Sequence, residues 1–122
     1  MPPFQTVDQG LMSGFEEPRQ AVVRTDEDWQ ALWRTHAPNR PVPPIDFSKQ
    51  TVVAVFLGSR MTAGYSVSID RIEAHEGGVR VVYEERRPAA GDMTAQVVTS
   101  PFHIVATAAF AGPASFEHAS RR

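Results

Sequence analysis

The run Thr51-Val52-Val53-Ala54-Val55-Phe56-Leu57, closed by Gly58, constrains this chain more than any other feature. It is apolar and β-branched, too short for a membrane span and too uninterrupted for a surface helix. It therefore predicts a central strand buried on both faces. Strands of a different kind follow it. Tyr65, Val67 and Ile69 alternate with Ser66, Ser68 and Asp70, the period-2 signature of a strand with one wet face. Ile72 continues that apolar set only if an extra residue is accommodated near Asp70-Arg71, which predicts a β-bulge there. Glu76-Gly77-Gly78 supplies a tight connection, and Val79 to Glu84 returns as the hairpin partner.

Upstream, Trp29, Leu32, Trp33 and His36 recur at i, i+3, i+4 and i+7, which predicts an amphipathic helix from Asp26 to His36. Thr25 is placed to cap it, Asp26 to Asp28 set negative charge at the positive dipole end, and Pro38 stops it. Phe4 to Asp8 and Gln20 to Arg24 read as short strands. Pro38 to Pro44, with four prolines, reads as a stiff surface connection. Thr94 to Thr99 and Phe102 to Ala108 are expected as strands interrupted by Pro101, which cannot donate to a ladder. The predicted architecture is α+β: a mainly antiparallel β sandwich or half-barrel with one amphipathic helix packed on it. Residues 1–112 form a single domain in this reading, and 113–122, rich in small and polar residues, are expected to be a flexible tail.

Composition removes several function classes. With 122 residues the chain is long enough for one core, about two-thirds of its surface being buried on folding. Zero cysteine excludes disulfides, a thiolate zinc site and a cysteine nucleophile. A formal charge of -2 with no basic cluster argues against nucleic acid. No window is apolar enough to span a membrane, and Met1-Pro2-Pro3-Phe4 lacks the basic and apolar regions of a leader, so no export signal is expected.

The candidate chemistry is sparse. His36, His75, His103 and His118 belong to no metal-ligand spacing, so no metal or other cofactor is expected. His36, at a helix C-terminus, sits where an imidazolium is favoured. Ser100 and His103, with Asp92 upstream, bring a hydroxyl near an imidazole, yet residues three apart on a strand face opposite ways. No nucleophile elbow surrounds Ser100. Glu84 and Glu85 likewise point apart, and Trp29 with Trp33 are expected to be buried rather than to form a carbohydrate platform. No catalytic residues are assigned, and the expectation is a protein that is not an enzyme. The polar loop Gly58 to Tyr65 joins two strong strands, and loops on a rigid scaffold are where recognition tends to sit.

Three blocks resemble a known family. Ile45-Asp46-Phe47-Ser48-Lys49 leads into Val52 to Gly58; Arg60-Met61-Thr62-Ala63-Gly64-Tyr65 continues through Ser66 to Ile69; and Thr99-Ser100-Pro101-Phe102-His103-Ile104-Val105 follows. Together they are similar to the C-terminal domain of the PrcB-like proteins, small partners of secreted protease complexes. The family usually has glycine where Ala63 stands; should that position need positive φ, the alanine would be strained. The resemblance implies a non-enzymatic accessory or stabilising partner of a protease complex, located at the cell envelope or secreted. It directs attention to Arg60, Thr62, Gly64, Tyr65, Phe102 and His103 as a contact surface for a protein partner. Two rivals stay open: a small-molecule or peptide-binding domain anchored by Tyr65 and His103, and a hydrolase using Ser100 and His103.

Overall fold

The computed structural model describes residues 4–89, 91 and 93–119. Its elements run β1 (Phe4–Gly10), β2 (Arg19–Val23), α1 (Asp26–His36), β3 (Gln50–Phe56), β4 (Ser66–His75), β5 (Gly78–Arg86), β6 (Phe102–Ala108) and β7 (Ala114–His118). One sheet has the order β1-β6-β3-β2, and the other β4-β5-β7. All pairings are antiparallel except β5 with β7. The two sheets are unclosed, and the α+β expectation of a mainly antiparallel β sandwich or half-barrel with one amphipathic helix therefore holds.

The apolar run becomes β3, in which every residue from Thr51 to Phe56 is buried. Its even-numbered residues Val52, Ala54 and Phe56 join Phe102 and Ile104 of β6 against Trp29, Leu32 and Trp33 of α1. Its odd-numbered residues Val53 and Val55 join Val105 against Val67, Ile69, Ile72, Val79 and Val81 of the second sheet. Helix, first sheet and second sheet are thus three layers, and the middle layer must be apolar on both sides. That is the physical reason β3 shows no alternation.

The helix begins and ends where its caps dictate. Thr25 Oγ1 accepts a hydrogen bond from the Asp28 amide at 3.2 Å, and the Ala37 amide donates to the Trp33 carbonyl at 2.8 Å. Both tryptophans are buried, as expected, and their indole N–H groups tie down the proline-rich connection. Trp29 donates to the Pro43 carbonyl at 2.9 Å and Trp33 to the Arg40 carbonyl at 3.0 Å. A buried indole N–H without such a partner would be costly, so tryptophans and connection order one another.

In β4 the register with β5 shifts between Ile69 and Arg71, so the expected bulge is present. It puts Ile69 and Ile72 into the same core cluster despite their odd spacing. The β4–β5 turn has positive φ at both central residues, 45° at Glu76 and 80° at Gly77, the type I′ pattern. The free edge of β4 is tied to the first sheet by side chains: Gln9 Nε2 donates to the Val67 carbonyl at 3.1 Å, and the Ile69 amide donates to His103 Nδ1 at 2.8 Å.

Two expectations are corrected. Residues 94–98 form no strand; only Thr99 and Ser100 make isolated bridges, to Arg60 and Met12. A strand needs a partner edge, and β1 and β3 already occupy both sides of β6. The expected flexible tail instead contains β7, which adds in parallel to β5 from Ala114 to His118. Gly78 permits that docking. A Cβ there would lie 1.9 Å from the Pro113 carbonyl oxygen, which accepts the Val79 amide at 3.0 Å.

This geometry separates two neighbouring glycines. Gly77→Ala meets nothing within 4 Å and carries only the strain of φ +80°, expected to cost about 1 kcal/mol. Gly78→Ala forces Pro113 away, at a cost of roughly 1–3 kcal/mol. Denaturant unfolding with amide exchange checks the pair: only Gly78→Ala is expected to strip protection from residues 114–118.

Candidate functional site

Gly58 begins the loop with φ 80°, and Gly64 near its end has φ 103°. Between them the backbone is clamped rather than loose. Arg60 and Thr99 exchange hydrogen bonds at 2.7 and 2.9 Å, and the Ala63 amide donates to the Ala95 carbonyl at 3.0 Å. Ser100 in turn donates its amide to the Leu11 carbonyl at 2.6 Å and accepts from the Ser13 amide at 3.1 Å. Three segments, around residues 11–13, 60–63 and 93–100, are therefore stitched into one surface. Among the described non-glycine residues only Glu76 has positive φ, so Ala63 carries no such strain.

That surface holds the exposed large apolar side chains found among the described residues: Leu11, Met12, Met61, Met93, Val97 and Val98. Met12 and Met61 are 70% and 74% exposed. Individually such residues are ordinary, but all six fall on these three adjoining segments. Beside it, the Arg60 guanidinium lies 5.5 Å from the centre of the Tyr65 ring and 3.3 Å from Glu85 Oε2. Thr62 is held through its carbonyl, which accepts from Thr99 Oγ1 at 3.3 Å. Arg60, Thr62, Gly64 and Tyr65 are thus brought together.

Phe102 and His103 are not part of that surface. Each is only 3% exposed, so neither side chain can meet a partner, and their expected contact role is corrected. Phe102 faces α1 in the first core. His103 faces the second sheet, where Nδ1 accepts from Ile69 and so must be unprotonated, leaving Nε2–H to donate to Thr6 Oγ1 at 2.8 Å. Both ring nitrogens are therefore committed away from Ser100. Asp92 lies outside the described residues.

A different hydroxyl, imidazole and carboxylate do meet. His36 Nε2 lies 2.8 Å from Asp8 Oδ2, and His36 Nδ1 lies 2.8 Å from Ser13 Oγ. The ring is fully buried against Trp33, Phe56 and Phe102. Burial lowers its basicity, outweighing the attraction of Asp8. The helix-terminus imidazolium is thus replaced by a neutral ring. Burial would raise the Asp8 carboxyl, but hydrogen bonds from His36 and Arg40 hold it below its ordinary value. A neutral ring donating to a carboxylate leaves Nδ1 to accept from the Ser13 hydroxyl. This is the proton polarity of an activated nucleophile.

Three backbone amides around Ser13 are already engaged. Its own amide is bound to Ser100, the Gly14 amide to the His36 carbonyl at 2.8 Å, and the Phe15 amide to Ser13 Oγ at 3.2 Å. These three N–H groups are thus not free to cradle an oxyanion. Gly14 allows the close approach, since a Cβ there would lie 1.9 Å from the Thr35 carbonyl oxygen. The arrangement braces β1 and the β1–β2 loop against the end of α1. Sequence reasoning missed it because its members come from three separate elements; the available signal was His36 on the tryptophan face of the helix, which implies burial and hence a partner.

Both buried histidines set a pH dependence. His103, pushed down by burial to about 4, is neutral when folded, whereas its unfolded counterpart titrates near 6.5. The unfolded state therefore binds more protons in that window, and stability falls as pH drops from 6.5 to 4. For His103 alone the loss is about 3 kcal/mol. His36 acts in the same direction, and the Asp8 contribution is lost on further acidification below its unfolded value of 3.8. Urea midpoints measured against pH check this; His103→Asn should be less stable at neutral pH yet decline less steeply.

Comparison with known proteins gives one positive finding: residues 51–108 match the family model described as PrcB C-terminal. No curated protein and no solved structure matches the chain. The matched stretch runs from β3 through β6, including the clamped loop and the segment bonded to it, while β1, β2 and α1 lie outside it. Residues 51–108 of the chain are therefore similar to the PrcB C-terminal family.

Proposed function

We propose that this chain is a non-enzymatic protein-binding module, an accessory or stabilising partner of a protease complex. The carrying observation is the apolar patch of Leu11, Met12, Met61, Met93, Val97 and Val98 on segments bonded to the family's own loop. Unbranched methionines adapt to varied partner surfaces, and Arg60 with Tyr65 supplies a polar, aromatic border of the kind that recurs at interfaces. The protease link rests on the similarity of residues 51–108 to the PrcB C-terminal family, whose resemblance implies a protease-complex partner. The commitment of His103 to Thr6 and Ile69, of the Ser13 and Gly14 amides to backbone carbonyls and of the Phe15 amide to Ser13 Oγ favours this reading over a hydrolase.

Affinity capture from envelope and soluble fractions of the source organism tests the assignment. The native chain is expected to retain a protease, and Met12→Lys with Met61→Lys to lose at least ten-fold of it at an unchanged unfolding midpoint, about 1.4 kcal/mol of binding. Equal retention by the double variant, or no protease from either fraction, counts against it. A fluorophosphonate probe is expected to leave Ser13 unlabelled. Labelling that disappears in Ser13→Ala would overturn the non-enzymatic part.

A further inference from the structure

The edges of the two sheets are not equally protected. β1 is interrupted by a register shift between Thr6 and Asp8, and β4 by its bulge together with the bonds from Gln9 and His103. These devices discourage pairing with another strand. β2 has none of them: its five residues pair with β3 in unbroken register from Arg19–Phe56 to Val23–Val52, and Pro18 falls just before it.

The direction of its free backbone groups follows from the neighbouring ladder. The Leu57 amide donates to the Pro101 carbonyl and the Ala109 amide to the Lys49 carbonyl, which fixes the odd-numbered residues of β3 as bonded toward β6. Even-numbered Val52, Ala54 and Phe56 therefore bond toward β2, to Val23, Ala21 and Arg19. Gln20 and Val22 are left with N–H and C=O groups directed outward. Among the described residues, no backbone or side-chain partner takes them.

Those groups open onto a groove of about 570 Å³. One wall is β2 along its whole length; the other is the α1 stripe Asp28, Ala31, Leu32 and Thr35, at helical spacing. Arg19 marks one end, its guanidinium 5.1 Å from the Phe15 ring centre, and Asp28 marks the other. Arg24 does not neutralise the Asp28 end, since it is turned to the Gly112 carbonyl at 2.6 Å and to Phe110. A five-residue strand spans about 17 Å, so the groove offers one strand's worth of ladder between charges of opposite sign.

We propose that β2 and α1 form a strand-addition site for an extended peptide segment of a partner, running antiparallel to β2, basic at its N-terminal end and acidic at its C-terminal end. Main-chain bonds to Gln20 and Val22 supply the affinity, and the charged ends supply direction. The site lies on a different face from the methionine patch and outside residues 51–108, so it neither needs nor supports the protease assignment.

The test uses the full ¹⁵N-labelled chain and the blocked peptide Ac-Lys-Val-Thr-Val-Thr-Val-Glu-NH2. Binding is expected to perturb the amides of Gln20, Val22, Ala31 and Leu32 and to slow exchange at Gln20 and Val22. The peptide with Lys and Glu interchanged is expected to bind more weakly. Val22→Pro removes an outward N–H while sparing the β2–β3 ladder, and is expected to weaken binding about ten-fold, one hydrogen bond's worth. Ala31→Arg, on the exposed helix wall, provides a second variant that obstructs the groove without touching the sheet. Perturbations mapping elsewhere, no perturbation at millimolar peptide, or undiminished binding by both variants would overturn the proposal. So would a peptide-free dimer abolished by Val22→Pro, which would assign the groove to a second copy of this chain.

Discussion

Everything in this molecule is arranged around a pair of strands that have no wet side. β3 and β6 present alternate residues to the helix and to the second sheet, and neither layer can be removed without exposing valine, isoleucine or phenylalanine to water. Burying each such side chain is worth roughly 1.5–3 kcal/mol. The cost of a strand enclosed on both faces is that any polar group on it must find a partner inside. His103 does so by accepting a backbone amide from β4, which turns an otherwise awkward buried imidazole into the link between the sheets.

The same logic separates what this protein displays from what it hides. Phe102 and His103 belong to the interior because they lie on β6, while Arg60, Thr62 and Tyr65 remain near the surface because the glycine-bounded loop leaves the end of β3. The two regions are adjacent in sequence pattern yet opposite in role. Likewise Asp8, His36 and Ser13 have the proton polarity of a reactive chain, but surrounding backbone groups spend their donors on the fold. Chemistry depends on which hydrogen bonds remain unfilled as much as on which residues meet.

Features with a local cause were legible in the sequence. The helix, its Thr25 cap, the doubly buried strand and the bulge beside Asp70 follow from periodicity or a slip in it, which any short window contains. The apolar patch was not legible, because Leu11, Met12, Met61, Met93, Val97 and Val98 are scattered in sequence and become neighbours only through bonds between loops. Nor was β7: Ala114 to His118 alternate too weakly to announce a strand, and their parallel partner is chosen by the close approach of Pro113 to Gly78. Thr94 to Thr99 was expected as a strand, but residues 94–98 pair with no strand edge.

The parallel join between β5 and β7 also orders events in time. Residues 87–113 leave the second sheet, cross to the first to lay down β6, and return. Pairing the last strand with β5 therefore closes a far longer loop than the β4–β5 hairpin does, and the entropy of that loop opposes early pairing. Sequence distance thus sets the two borders of the outer sheet apart: one is a hairpin's neighbour, while the other is reached only by a chain that has first travelled through the opposite sheet.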